Sequence, residues 1–246
     1  MKSRLDTPQN APGTVPSLTR RDALALACVG VGGALLSAWS GTARAQEAPA
    51  GCVVRPEQTE GPYFVDGRLD RSDIRSDPAG GSTKPGSPLA LTFVVSALTR
   101  DACAPLPGAR VDLWQCDAEG VYSGVDDPSF DTRGALFLRG AQKTDSRGRA
   151  GFVTLYPGAY PGRAVHVHFK VRAKNAAGRE LEFTSQLYFD DALTDRVHSL
   201  APYTRRRRTP NSGDGIFVRD GGSRLLLPVS TQRDGYAGTF ELALQL

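Results

Sequence analysis

The sequence predicts an all-β protein: a β-sandwich with an irregular N-terminal arm and few short helices. Three observations carry this. Short runs rich in β-branched and aromatic residues recur from residue 89 to the end, Gly and Pro are abundant at 27 and 17, and only one stretch has helical character. A chain of 246 residues can bury a sizeable core, as one large β domain or two small ones.

Residues 1–45 differ from the rest. They hold twin arginines (Arg20, Arg21), a weakly apolar run from Ala23 to Trp39, and small residues at Ala43 and Ala45. This is the pattern of a twin-arginine signal peptide cleaved after Ala45, and the run is too short and glycine-rich to count as a membrane span. The expectation is an exported protein, periplasmic or secreted, free of the membrane once cleaved. The segment carries five of the 30 Lys+Arg and two of the 26 Asp+Glu, so most of the formal charge of +4 leaves with it. The basic balance therefore gives no argument for a nucleic-acid partner. The tetrad Arg205–Arg208 reads as a solvated loop.

Residues 46–88 follow as a Pro/Gly/Asp-rich arm, "EQTEGPYFVDGRLDRSDIRSD", without helical period. The domain proper is expected over 89–246, with strands at 89–98, 109–117, 150–156, 164–172, 182–189, 223–229 and 238–246. Turns such as "PLPGA", "DSRGRAG" and "KNAAGRE" separate some of them. "DDALTDRVHS" (190–199) reads as a short helix that would leave His198 on the surface. There is no internal repeat and no Gly-rich phosphate loop.

Cys28 leaves with the signal, and export then permits one disulfide among Cys52, Cys103 and Cys116. A strand of six residues between Cys103 and Cys116 spans about 20 Å, too far for a bridge that needs Cα atoms within about 7 Å. That leaves Cys52–Cys116, the preferred pair, and Cys52–Cys103.

The sharpest chemical signal is "YPGAYPGRAVHVHFKV" (156–171). It holds two of the three histidines of the chain, one residue apart. On a strand, His166 and His168 point to the same face about 7 Å apart along it, a spacing at which two imidazoles can grip one Zn, Cu, Fe or Ni ion. Taken alone, HxH reads more often as a pair of strand histidines with satisfied hydrogen bonds. Tyr160 precedes the pair, Tyr122 follows the strand ending in Trp114, Arg163 stands three residues before His166, and Gln186 lies within "TSQLYF". Each tyrosine by itself reads as a core or rim residue.

In this order, "LWQCDAEGVYSG", "YPGAYPGRAVHVHF" and "TSQLYF" resemble the intradiol ring-cleavage dioxygenases, which include the protocatechuate 3,4- and catechol 1,2-dioxygenases. The resemblance covers roughly residues 52–220, and "TEGPY" near the mature start is similar to the exported branch of that family. It implies a sandwich of the intradiol type and an Fe(III) ion held by Tyr122, Tyr160, His166 and His168, with Tyr156 excluded as a variable position. Phenolates are hard anionic donors that favour Fe(III), as tyrosine does on catalase haem. The resemblance further implies that Tyr160 leaves the metal for the substrate and accepts its proton, that Arg163 stabilises charge on the reacting ring carbon, and that Gln186 hydrogen-bonds beside the oxygen pocket. The expected partners are a catechol-type substrate and O2, with a cis,cis-muconate-type product. A homo-oligomer stays open.

Two departures bear on this. The catechol 1,2-dioxygenases carry a helical dimerisation segment that 46–88 cannot supply, so the pocket wall is expected from the arm, through Glu60 and Tyr63. Cys116 replaces a common alanine, and a Cys52–Cys116 bond would pin the arm beside the metal. Two other function classes compete. An exported β-sandwich binding module explains the strands but not the ordered Tyr/Tyr/His/His set. A zinc or copper hydrolase built on the HxH lacks a third His, an acidic ligand at a typical spacing and a nucleophile motif.

Overall fold

Alternation of side chains across the pleat decides which face of this chain is inside. In the computed structural model, which describes residues 52–246 apart from 68, 101, 176 and 204–207, the strands are β1 (Pro88–Leu98), β2 (Cys103–Pro105), β3 (Arg110–Trp114), β4 (Asp126–Asp127), β5 (Phe130–Asp131), β6 (Arg139–Lys143), β7 (Arg149–Leu155), β8 (His166–Lys174), β9 (Glu180–Tyr188), β10 (Val229–Gln232) and β11 (Gly235–Gln245). Along β1, Leu89, Leu91, Phe93 and Val95 are buried while Ala90, Thr92 and Val94 face outward. The expected signal peptide (1–45) and three of the four arginines at 205–208 lie outside the described residues. Arg208 is described, and it pairs with Asp191 and Asp195 at 2.7 Å each.

Two sheets stack. The first runs β10-β11-β1-β2, with β7 also on β1, and its β1–β11 pair is parallel, so the first and last long strands lie side by side. The second is the antiparallel β6-β3-β8-β9. Aromatic rings join them: Phe93 and Phe240 of the first sheet meet Phe169 of the second at 5.1 and 5.4 Å. Each such side chain contributes about 1.5–3 kcal/mol by leaving water. The all-β sandwich expected from the sequence is the observed architecture.

Strand β8 is buried on both faces. Val167, Phe169 and Val171 point into the sandwich, while His166, His168 and Lys170 point out of it and are buried all the same. The arm covers them. Its Gln58 N–H donates to Thr184 O (3.0 Å), Ser185 Oγ donates to Pro56 O (2.8 Å), Phe64 packs edge-on to Trp114 (4.9 Å), and Glu60 pairs with Lys170. Further on the arm bridges to Ala141 and Val153 and buries Ile74 completely, closing the edges of β6 and β7. It crosses β6 at Gly140, where a Cβ would stand 2.4 Å from Ile74 Cγ2.

The disulfide corrects the preferred pairing. Cys52 is bonded to Cys103, with Cα atoms 5.6 Å apart. The arm starts along the first sheet, where Ala243 N–H donates to Val53 O (2.8 Å), and Cys103 opens β2 of that same sheet. Cys116 follows β3 of the other sheet, and its thiol is buried against Gly158 O (3.5 Å).

Other local expectations also shift. The expected helix is α1 (Asp191–His198), capped by Asp190 through Leu193 N–H (2.9 Å). His198 is not a surface residue: it is half-buried, stacked on Tyr203 at 4.8 Å, and hydrogen-bonded through Nε2 to Pro157 O (2.9 Å). The expected strand at 223–229 is a 3-10 turn (Gly222–Leu225) followed by β10. Its leucines pack one by one, with Leu225 and Leu227 buried and Leu227 N–H donating to Tyr188 O (2.8 Å). A five-residue helix, α2 (Gly215–Arg219), begins at Asp214.

Candidate functional site

Register places the site. Across β8 and β9, His166 faces Tyr188 and His168 faces Gln186, while β3 sets Trp114 opposite His168. All five therefore share the outer face of the second sheet, beneath the arm. Two turns bring in the tyrosines. The turn at 117–122 is built on Asp117, whose Oδ1 accepts from the Glu119 and Val121 N–H groups (3.0 Å each) and whose Oδ2 pairs with Lys84 at 2.7 Å. It delivers Tyr122. The Pro/Gly loop at 157–163 is locked to that turn by Gly158 N–H donating to Asp117 O (3.0 Å), and it delivers Tyr160.

The four rings converge. Ring centroids lie 5.8 Å apart for Tyr122 and Tyr160, 6.2 Å for Tyr122 and His168, 5.6 Å for Tyr160 and His166, and 4.6 Å for the two histidines, whose Nε2 atoms are 2.9 Å apart. Trp114 stacks on His168 at 5.1 Å. His166, His168 and Tyr122 are buried, while Tyr160 is half-buried on the solvent side. His166 Nδ1 lies 2.6 Å from Ala164 O and donates to it, which makes Nε2 the unprotonated nitrogen of that ring. Burial pushes the His166 pKa down to about 3 and that of His168 well below the ordinary value, so both imidazoles are neutral at neutral pH. Burial also raises both phenols, against the pull of Arg163.

Three buried polar atoms in this cluster, Tyr122 Oη, Trp114 Nε1 and His168 Nδ1, have no hydrogen-bond partner among the described residues. Unpaired buried polar atoms cost stability and call for an explanation. Two imidazoles whose Nε2 atoms meet and two phenol rings beside them supply the nitrogen and hard oxygen donor types that suit a shared cation. Among the described residues no group of three or more His, Cys, Asp or Glu side chains is arranged to hold a metal ion, so a centre here has to draw on the phenols. The third ligand required by the zinc or copper hydrolase reading is not found among the described residues.

Arg163 stands beside the rings with a half-buried guanidinium. Nε donates to Asp214 Oδ2 (3.0 Å), Nη1 to Tyr160 Oη (3.2 Å), and Nη2 to Gln186 Oε1, with Tyr188 Oη 3.5 Å away. Gln186 Nε2 in turn donates to Thr59 O (3.0 Å), and Tyr188 Oη donates to Gln58 Oε1 (2.8 Å). The arm thus reaches the site through its backbone and Gln58. Tyr63 stacks on Tyr122 at 4.5 Å, stands edge-on to Tyr160 at 6.3 Å, and donates to Asp127 Oδ2 (2.7 Å). Glu60, expected on the pocket wall with Tyr63, turns instead to Lys170. Gly61, at φ +74°, lets the arm pass over His168, where a Cβ would stand 3.2 Å from Cε1. Tyr156 lies away in the core, its hydroxyl 2.8 Å from Thr194 Oγ1.

Sequence reasoning did not single out Asp214, Tyr188 or Gln58. Asp before "GIFV" was readable as a helix cap, and Tyr188 as the next same-face residue after Gln186. Gln58 carried no local signal. Two surface clefts of about 410 and 420 Å³, one walled by Leu106 and Arg172 and the other by Thr92 and Thr239, do not touch these rings.

Comparison with known proteins identifies relatives of this fold. Residues 59–202 match the family model described as Dioxygenase. Among solved structures the chain is similar to an intradiol ring-cleavage dioxygenase from Tetranychus urticae, at 32% identity and a TM-score of 0.68, covering 79% of this chain and 95% of that one. It is also similar to the dioxygenase domain of a dioxygenase–carbohydrate-binding fusion from Streptomyces sp. SirexAA-E, at 32% identity and a TM-score of 0.55, covering 78% and 99%. Catechol 1,2-dioxygenase 1 of Acinetobacter lwoffii is 28% identical over 209 residues, covering 73% of this chain and 58% of that protein. The chain spans a little over half the length of the first curated relatives it matches.

Proposed function

The chain belongs to the intradiol ring-cleavage dioxygenases, and on that premise we propose that it opens a catechol-type ring between the two hydroxyl-bearing carbons, both atoms of O2 entering a cis,cis-muconate-type diacid. Tyr122, Tyr160, His166 and His168 hold an Fe(III) ion in this reading. The observation that carries it is the meeting of two neutral imidazoles at their Nε2 atoms, with the Tyr122 and Tyr160 rings beside them and Tyr122 Oη buried without a hydrogen-bond partner among the described residues. The ferric ion, when bound, supplies a Lewis acid that draws electron density from a chelated catechol.

The chain's own residues do the rest. Tyr160 is the solvent-side phenol and has no backbone contact holding its oxygen, so it can move aside and take a proton from a substrate hydroxyl. Arg163 sets a fixed positive charge beside the position where the ring carbon becomes electron-rich. Gln186, buried and tied to Thr59, orients Arg163 from one side. Tyr63, Tyr122 and Trp114 wall the site with aromatic faces and exclude water. We also propose export through the twin-arginine signal, and a role in aromatic catabolism outside the cytoplasm.

The test is metal analysis and colour of the purified protein, followed by incubation with catechol and O2. A burgundy protein with about one iron per chain, yielding an ultraviolet-absorbing muconate, is the expected result. His166→Ala should lose iron, and Tyr160→Phe should weaken the visible band and turnover. A colourless protein, or a yellow semialdehyde from cleavage outside the diol, refutes the reading.

A further inference from the structure

We infer that Asp214 is a positioning residue of this site, holding the Arg163 guanidinium in a fixed direction while Tyr160 moves. The inference rests on the reading above, in which Tyr160 gives way to the substrate. Asp214 lies beyond the matched residues 59–202, and its sequence context marks it only as a helix cap.

Its setting is specific. The side chain is 1% exposed, and each of its oxygens is occupied. Oδ2 accepts from Arg163 Nε (3.0 Å) and from the Ala164 N–H (2.9 Å), while Oδ1 accepts from the Ile216 N–H (2.8 Å) at the start of α2. Burial alone would push this carboxyl up, but the N–H donors and the guanidinium hold it below the ordinary range. It is therefore an ionised anchor, rooted in two different backbone segments.

The other partners of Arg163 cannot replace it. Gln186 and Tyr188 are neutral. Tyr160 accepts from Nη1, and it is the group the reaction displaces. When the Tyr160 oxygen leaves, Nη1 loses that acceptor, while Nε stays on Asp214 and Nη2 stays on Gln186. A planar guanidinium held at two of its three nitrogens keeps its plane and direction. The freed Nη1 N–H then faces the space that Tyr160 vacated, where the substrate ring enters. Asp214 touches no substrate atom in this account and acts through Arg163.

The experiment is a double-mutant cycle in the iron-loaded full chain, with Asp214→Asn, Arg163→Lys and the pair. Asn keeps one acceptor and the shape, and Lys keeps a cation near residue 214. Asp214→Asn should lower kcat about 30- to 100-fold, the scale on which a misplacement near 1 Å acts. KM, the catechol-induced shift of the visible band and the iron content should change by less than about threefold. The pair should be no slower than Arg163→Lys alone by more than about twofold, since residue 214 works through residue 163. Losses that multiply in the pair, a kcat within about threefold of the parent, or a fall explained by lost iron would overturn the inference. Should Asp214→Asn fail to fold, Asp214→Ser retains a hydroxyl cap for α2 and is judged by the same criteria. A parent that opens no catechol ring sinks the functional reading and this inference with it, whereas an active parent with multiplicative losses sinks only this one.

Discussion

Replacing Gly158 with alanine probes the joint that sets the two tyrosines against each other. A Cβ on Gly158 would lie 2.5 Å from both Asp117 O and Ala118 O and 2.6 Å from Ala118 C, separations that real Cβ atoms essentially never show. All three neighbours are backbone atoms, so no side chain can swing away. The φ of Gly158 lies outside the left-handed region, which leaves steric overlap as the cause. The loop at 157–163 must separate from the turn at 117–122, stretching the Gly158 N–H to Asp117 O bond from 3.0 Å. Overpacking costs about 1–3 kcal/mol and the weakened hydrogen bond about 1 kcal/mol more. At about 2–4 °C per kcal/mol for a domain of this size, Tm should fall by about 5–15 °C. The larger consequence is for the proposed metal centre. Tyr160 moves with one loop and Tyr122 stays with the other, whereas metal–ligand distances tolerate about 0.2 Å. Iron per chain and the visible band should drop together, measured beside thermal unfolding. Gly151→Ala, with nothing within 4 Å of its Cβ, serves as the control and should leave all three unchanged. A Gly158→Ala protein with full iron and a Tm within about 2 °C of the parent would refute the interlocked-loop account.

Two further outcomes are expected. Non-reduced peptide mapping should show Cys52 linked to Cys103 and Cys116 free, and reduction should lower Tm by about 10 °C, since closing a loop of 51 residues is worth about 4 kcal/mol; a Cys52–Cys116 peptide would contradict the fold. In the metal-free protein the unfolded chain binds protons at His166 and His168 below about pH 6.5 that the folded chain refuses until about pH 3 at His166, and lower than its ordinary range at His168. Stability should therefore fall as pH drops through that window, by about 1.4 kcal/mol per pH unit per imidazole. A flat thermal stability between pH 6.5 and pH 4.5 would mean that the imidazoles are not held neutral, and bound iron should suppress the slope.

Whatever depends on neighbours in the chain was legible before any coordinates. The alternation in "LALTFVV" determines which residues of β1 enter the core, and the HxH spacing determines that His166 and His168 share a face. Asp190 announces α1, and the order of the tyrosine, arginine and histidine motifs announces the family. Strand β6, "RGAQK", has no β-branched or aromatic residue and is a strand only because β3 and the arm hydrogen-bond to it. The partner of Cys52 depends on which sheet the arm begins along, which spacing does not encode. Asp214 meets Arg163 across 51 residues, and Gln58 meets Tyr188 across 130. Such pairs carry no periodicity, because a donor and acceptor that distant find each other only after the sheets have stacked and the arm has closed over β8. Tertiary structure alone decided them: the Arg163 guanidinium and the Tyr188 hydroxyl, cut off from water, bond to the side-chain acceptors that packing brings within reach.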